Sequence, residues 1–265
     1  MFVGSLLVVA ALLGLVLRLA VGWWAFVITI GLAAVIAWSA DRRAAPVVLR
    51  TIGSRPVSPA EEPRLHNVVE GLCATLGLRP PAVELLDHPA VNALAVGRSP
   101  GHTTLVVTRG LVDGLGRIEL EGVVARLLVA AKQHDVQLGT LVSATVLAPV
   151  LLAERAAERP GGALGRLLGI PGSLLGPPGA SLAAKVLPPR RDVLLDLAAA
   201  AVTRYPPGLI TALDRCGGDA ATIPQAPRSS AHLWMIDPRP AVGPTAIDRS
   251  APAPVDERIA TLREL

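Results

Sequence analysis

The sequence predicts an α+β protein that is mainly helical, with an N-terminal transmembrane hairpin and a small sheet in its polar part. Of the 265 residues, 51% are hydrophobic and only 17% are charged. The mean hydropathy of +0.51 is too high for an ordinary soluble enzyme. Two uncharged apolar runs open the chain, and farther on short segments of strand-type pattern lie between longer segments of helical period.

The two apolar runs cover residues 2–17 and 19–40 and are separated by Arg18. A helix that crosses a bilayer needs about 20 apolar residues, a length that the second run meets and the first narrowly misses. A signal peptide is the alternative, but no basic residues precede the first run and a second run follows it at once. Residues 1–40 are therefore predicted to form a transmembrane hairpin, with the Trp23–Trp24 pair near its turn.

Positive charge after the second run predicts the orientation in the membrane. Arg42, Arg43, Arg50 and Arg55 follow residue 40, whereas Arg18 is the one basic residue at the other end of that run. Basic residues that flank a span favour the cytoplasmic side. We expect a multi-pass protein of the inner (plasma) membrane, with the lipid bilayer as a partner and the polar domain facing the cytoplasm. No basic stripe interleaved with aromatic residues is present, so nucleic acid is not an expected partner.

Residues 41–136 are predicted to form the first half of the polar domain, in the order helix, short antiparallel meander, two helices. The first helix is expected to follow Ser58-Pro59-Ala60-Glu61, where a capping residue precedes a proline, and to end near Gly77. Strand-type segments follow at 82–86, 90–96 and 103–108. Helical period begins again at residue 111 and at residue 117.

Residues 137–187 are predicted to be membrane-associated. The apolar run 137–153 is short, and the run 163–187 is interrupted by glycines, prolines and Arg166, so neither is a secure span. Residues 188–265 are predicted to form the second half of the polar domain and a tail, with an irregular stretch at 221–254 and a short helix at 256–265.

Five blocks of this sequence, in order along the chain, resemble the HtpX-type membrane-bound zinc metallopeptidases of bacteria. The blocks are Arg55-Pro56-Val57 with Pro63-Arg64-Leu65, Asn92-Ala93-Leu94-Ala95-Val96-Gly97-Arg98, Val107-Thr108-Arg109-Gly110-Leu111, Glu119-Leu120-Glu121-Gly122-Val123-Val124-Ala125, and Arg190-Arg191-Asp192 with Asp196 and Thr203-Arg204-Tyr205-Pro206-Pro207-Gly208-Leu209. The resemblance extends to the hairpin and to the tail at 256–259. It implies that 41–136 and 188–265 are the halves of a metallopeptidase-like domain that acts in membrane-protein quality control.

The zinc-binding motif of such enzymes is absent from this sequence. H-E-x-x-H places two zinc-binding histidines on one helix face, and its glutamate takes a proton from the metal-bound water. The block ending at Ala125 aligns Arg126-Leu127-Leu128-Val129-Ala130 with that motif. Arg126 and Ala130 thus replace the two histidines and Leu127 replaces the general base. No two of the five histidines lie four residues apart, so no other alignment creates the motif.

The resemblance aligns Asp192 with the third metal ligand and Asp196 with a second acid in the same block. The charges at these motif positions are complementary, so we expect an internal ion pair between Arg126 and Asp192 in place of zinc. No cofactor is then expected, and the protein is predicted to be a catalytically inactive pseudo-peptidase. One alternative is a working hydrolase with an altered metal site, for example one built from His134, Asp192 and Asp196, and another is a structural subunit of a membrane assembly.

The block Asn92-Ala93-Leu94-Ala95-Val96-Gly97 resembles the family's substrate-binding edge strand. An exposed edge strand binds an extended peptide by adding it to the sheet as a further strand. The protein is therefore expected to bind or scaffold other membrane proteins through this strand, while its oligomeric state is left open by the sequence.

Overall fold

The computed structural model describes residues 23–143, 190–219, 221–226, 228–239 and 252–265. The first arm of the predicted hairpin and most of the predicted membrane-associated region at 137–187 lie outside these residues. Within the described ranges, none of the helices combines the length and apolarity that a membrane crossing requires.

Helix α1 covers Trp23–Ile52 and is 30 residues long. It passes without a break through the charged residues after Ala40, so the domain boundary predicted there lies inside a helix. The chain divides into two compact units after Ala44. In the first unit large apolar side chains of α1 face outward, among them Trp24, which is 78% exposed, and Trp38, which is 59% exposed. The Arg42 guanidinium lies 4.5 Å from the centre of the Trp38 ring, a cation–π contact.

The second unit contains a four-stranded sheet in the order β1-β2-β4-β3. The strands are β1 (Arg55–Pro56), β2 (Ala82–Leu86), β3 (Ala93–Ser99) and β4 (His102–Thr108). β1 pairs with β2 and β3 pairs with β4 in antiparallel fashion, but β2 pairs with β4 in parallel. The predicted antiparallel meander is therefore wrong at its centre. The chain between β2 and β3 carries β3 beyond the position of β4, so that β4 returns between them, parallel to β2.

The helices of this unit pack mainly on one face of the sheet. They are α2 (Pro63–Leu76), α3 (Arg109–Gly114), α4 (Arg117–Lys132), α5 (Asp135–Val142), α6 (Arg191–Thr203), α7 (Pro206–Gly218), a 3-10 helix (Arg228–Leu233) and α8 (Val255–Leu262). α2 begins at Pro63, later than the predicted start, because residues 58–61 form a turn in which the Glu61 amide donates to the Ser58 carbonyl. It ends at Leu76 and is capped by Gly77, whose φ of 68° is a left-handed conformation that favours glycine.

Helix α4 is the centre of the unit. Every residue from Gly122 to Ala131 is buried, and the helix contacts α2, α6, α7 and β3. Gly122 allows α7 to approach closely, since a Cβ at this position would lie 2.9 Å from the Leu209 Cα. Because α4 is surrounded on all sides, any polar side chain on it must find its partners inside the protein.

Candidate functional site

The three replaced motif positions lie on α4 in the interior of the domain. Arg126 is 3% exposed, Leu127 1% and Ala130 4%. Leu127 and Ala130 belong to the main hydrophobic core. Arg126 is the one charged residue in the buried stretch of α4 from Gly122 to Ala131.

Arg126 pairs with both aspartates of α6. Its Nε donates to Asp196 Oδ1 at 2.7 Å, and its Nη2 donates to Asp192 Oδ1. Asp192 and Asp196 lie one helical turn apart, so they share a face of α6 and both reach the same guanidinium. The structure thus brings together the two residues of the predicted ion pair and adds Asp196 to them.

A second arginine, Arg258 of α8, completes the cluster. Its Nε donates to Asp196 Oδ2 at 2.6 Å and its Nη2 to Asp196 Oδ1 at 3.0 Å. The remaining oxygen of Asp192, Oδ2, accepts from the Ala253 amide at 3.1 Å. We call Arg126, Arg258, Asp192 and Asp196 the buried charge cluster. It contains two positive and two negative side chains, and all four are buried.

The role of Arg258 was missed from the sequence. The tail segment 256–259, which contains Arg258, supported the family resemblance. No local pattern indicated that this arginine, 62 positions beyond Asp196, would bind that aspartate. Arg191 and Asp135 form a neighbouring pair, with 2.6 Å between Arg191 Nε and Asp135 Oδ2.

Electrostatics keep Arg126 and Asp192 charged despite their burial. Burial opposes the charged form of Arg126, but the charges of Asp196 and Asp192 outweigh it and raise the pKa of the guanidinium. Burial likewise opposes the charged form of Asp192, but the charges of Arg126, Arg191 and Arg258 hold the pKa of its carboxyl below the ordinary value. The charged forms of these two side chains thus depend on their partners.

The residues present do not fit zinc. Zinc sites in proteins use thiolate, imidazole or carboxylate ligands, whereas a guanidinium stands at one ligand position here and a methyl group at another. Both aspartates already bind arginines. Leu127 carries no group that exchanges protons, so it cannot serve as the general base.

His134 does not supply a replacement site. It lies between α4 and α5, and its Nδ1 contacts Gln137 Oε1 at 3.3 Å. In the part of the chain that the structure describes, no group of three or more His, Cys, Asp or Glu side chains is arranged to bind a metal ion. The alternative site of His134, Asp192 and Asp196 is therefore not assembled.

The strand predicted to bind peptides, β3, lies at one end of the sheet. Its first five residues, Ala93 through Gly97, are all buried. An isolated bridge joins Leu94 to Trp234, and the Gly97 amide donates to Thr140 Oγ1 at 3.1 Å. The position of β3 agrees with the expected edge strand, but segments of the same chain cover it.

Comparison with known proteins decides the family. The sequence model of Peptidase family M48 matches residues 59–152, which include α4. A protein named "Protease HtpX homolog" from Tropheryma whipplei (strain Twist) is 35% identical over 222 residues, covering 80% of this chain and 76% of that protein. The chain belongs to the HtpX-type M48 peptidase family. The resemblance inferred from the five blocks is thus confirmed.

Other HtpX homologues match over similar or longer stretches. The "Protease HtpX homolog" of Dictyoglomus turgidum is 33% identical over 227 residues, covering 82% of this chain and 74% of that protein. The one from Salinibacter ruber is 32% identical over 245 residues, covering 91% of this chain and 87% of that protein. No solved structure matches the chain. This HtpX-type chain therefore combines the family's sequence blocks with a buried charge cluster at the motif positions.

Proposed function

We propose that this HtpX-type chain is a catalytically inactive pseudo-peptidase that binds or scaffolds membrane-protein partners without cleaving them. The observation that carries the proposal is the position of Arg126. Its guanidinium lies between Asp192 and Asp196 at the positions where the family resemblance implies zinc. A cation already neutralises these carboxylates, so a divalent ion would meet a positive charge there rather than a set of ligands.

The loss of the general base supports the same proposal independently of the metal. Peptide hydrolysis needs a group that takes a proton from the attacking water. Leu127 is 1% exposed and lies among core side chains, and its aliphatic side chain cannot take up a proton. Restoring one ligand alone would therefore not restore hydrolysis.

Features of α1 favour membrane association and therefore a role with membrane proteins. The apolar run 19–40 continues into α1, whose Trp23, Trp24 and Trp38 side chains are 56%, 78% and 59% exposed. Large apolar side chains exposed to this extent favour contact with lipid or with another protein. Arg42 and Arg43 follow on the same helix, and basic residues beside an apolar segment favour the cytoplasmic face of the inner membrane.

Zinc content and proteolysis of the purified chain test the loss of catalysis. The full chain in detergent is measured for zinc at stoichiometric precision and for casein cleavage, with and without a chelator. The Tropheryma whipplei homologue, which is named a protease, is the positive control. We expect no bound zinc and no chelator-sensitive cleavage. One zinc per chain, or cleavage that a chelator abolishes, contradicts the proposal.

A matched variant shows whether the motif positions alone account for the loss. Arg126→His, Leu127→Glu, Ala130→His and Asp192→Glu are introduced together, and the variant is assayed beside the wild type. Zinc uptake by the variant but not by the wild type supports the assignment of these positions.

Alkaline extraction of membranes tests the location of the protein. Release of the chain into the soluble fraction contradicts a membrane-embedded hairpin.

A further inference from the structure

The outer side of β3 carries a short segment of the same chain. The Met235 amide donates to the Ala93 carbonyl at 2.8 Å, and Trp234 lies opposite Leu94 in an antiparallel bridge. These are the contacts that an added β-strand makes with an edge strand. We call residues 233–236 the capping segment.

Asn92 fixes the capping segment at its end. Its Nδ2 donates to the Ile236 carbonyl at 2.8 Å, and its Oδ1 accepts from the Ile236 amide at 3.2 Å. The same Oδ1 accepts from the Ala93 amide at 2.9 Å. One buried side chain thus joins the capping segment to the start of β3.

The capping segment is also bound to the buried charge cluster. Arg258 Nη1 donates to the Met235 carbonyl at 2.7 Å, while Nε of the same side chain donates to Asp196. Trp234 is 1% exposed and packs in the hydrophobic cluster that contains Leu94 and Val96. The position of the segment therefore depends on the same arginine that neutralises Asp196.

One buried group opposes this docked arrangement. His232, near the end of the 3-10 helix, donates from Nε2 to the Gly139 carbonyl at 2.8 Å. Its Nδ1 is buried and has no hydrogen-bond partner among the described residues. Water would satisfy this nitrogen if the segment moved away, so release of the segment recovers one hydrogen bond.

We propose that the capping segment is a built-in occupant of the peptide-binding edge, and that an extended polypeptide adds to β3 only after the segment is displaced. This rests on the proposed function, since it concerns the strand through which partners would bind. The main-chain groups at Ala93 that an added strand needs are already bonded. A partner therefore gains only the difference between its contacts and those it replaces. The expected partner is an extended polypeptide with an apolar side chain opposite Leu94, where Trp234 now packs.

The first test loosens the capping segment. Asn92→Ala removes both bonds to Ile236, and Thr103→Val is the control, because Thr103 Oγ1 donates to the Ser99 carbonyl at the far end of the β3–β4 hairpin. Full-length proteins in detergent are compared by amide hydrogen exchange and by binding of fluorescent casein. We expect Asn92→Ala to speed exchange at residues 233–236 and to tighten casein binding, each roughly tenfold, with neither change in the control. Faster exchange without tighter binding overturns the proposal.

The second test holds the capping segment in place. Leu94→Cys with Trp234→Cys places two thiols across the antiparallel bridge, where Cα atoms lie roughly 4.5 to 5.5 Å apart and a disulfide fits. The native cysteines, Cys73 and Cys216, are buried and do not compete. Casein should bind the reduced form and not the oxidised form of the same variant. Equal binding by the two forms overturns the proposal, whereas zinc uptake or casein cleavage overturns the proposed function and leaves this comparison of binding unaffected.

Discussion

Two arginine–carboxylate clusters of this protein have similar chemistry and different surroundings. The buried charge cluster joins α4, α6 and α8, with Arg126 and Arg258 side chains 3% and 0% exposed. A surface cluster joins Arg55 to Glu61 at 2.6 Å and to Asp87 at 3.0 Å, with the Arg55 side chain 44% exposed. Arg109 lies beside it and pairs with Glu62.

The difference shows that environment, rather than the number of ion pairs, decides what a charge contributes. Water and salt replace the partners of an exposed arginine at little cost, so surface pairs contribute little to stability. No water replaces the partners of Arg126, so removing one charge leaves the opposite one buried and unpaired. Three substitutions and a change of pH test this comparison, and they are given from the largest expected effect on stability to the smallest.

Arg126→Met should cause the largest loss. The substitution keeps most of the side-chain volume and removes the charge between Asp192 and Asp196, so we expect the free energy of unfolding to fall by about 3 to 5 kcal/mol. Denaturant unfolding of the full chain in detergent measures the change. The double variant Arg126→Met with Asp192→Asn should recover part of it. Wild-type stability for Arg126→Met would mean that the buried cluster behaves like the surface one.

Acid should destabilise the fold through His232, which the buried cluster adjoins. Burial lowers the pKa of this histidine to about 4, with the charge of Arg191 acting in the same direction. The ordinary pKa of about 6.5 applies to the unfolded chain, so between these values the unfolded state binds the proton and the folded state does not. The contribution of His232 to stability should therefore be complete above about pH 6.5 and should decrease by about 3 kcal/mol as the pH falls to about 4.

Unfolding measured along a pH series checks this window. His232→Gln, which cannot take up the proton, should be less stable near neutral pH but should lose the decline in stability between about pH 6.5 and about pH 4. An unchanged decline in the variant would assign the acid sensitivity to another group.

Asp192→Asn should cost less than the loss of Arg126. The amide oxygen still accepts from Arg126, whereas the amide nitrogen then faces the Ala253 amide and that hydrogen bond is lost. Asp196 still balances one positive charge. We expect a loss of about 1.5 to 3 kcal/mol, the range for a hydrogen bond to a charged group. A second effect follows from the lowered pKa of Asp192, whose stabilisation is present above about pH 4 and is lost as the pH falls further. This acid-dependent loss should be smaller in Asp192→Asn.

Arg55→Ala should have the smallest effect. Its partners Glu61 and Asp87 remain exposed to water after the substitution. The nearby Arg55 holds the pKa of Glu61 below its ordinary value, but solvent screens such a pair. We expect a small decrease in thermal stability that disappears when salt is raised. A decrease as large as that of Arg126→Met would contradict the distinction between the two clusters.

Several features could be predicted from the sequence because they depend on local pattern. The helical period predicted α2, α3 and α4. The aligned blocks indicated the family and the loss of the motif at Arg126, Leu127 and Ala130. Charge complementarity at two motif positions also predicted that Arg126 and Asp192 would be partners. The start of α2 was placed too early because a turn and a helix N-terminus share the same residue types.

Other features required the tertiary structure because they join distant segments. The parallel pairing of β2 with β4 depends on where the chain crosses between strands, which no local period records. Arg258 binds Asp196 from 62 positions farther along the chain. The capping segment pairs with the outer edge of β3.

The sequence by itself determined that this HtpX-type chain lacks the residues that bind zinc and activate water. Only the tertiary structure decided what stands in their place, because burial fixes which charges must pair and packing fixes which segments supply them. The result is a cluster of two arginines and two aspartates. One of the arginines, Arg258, also binds the capping segment that covers β3.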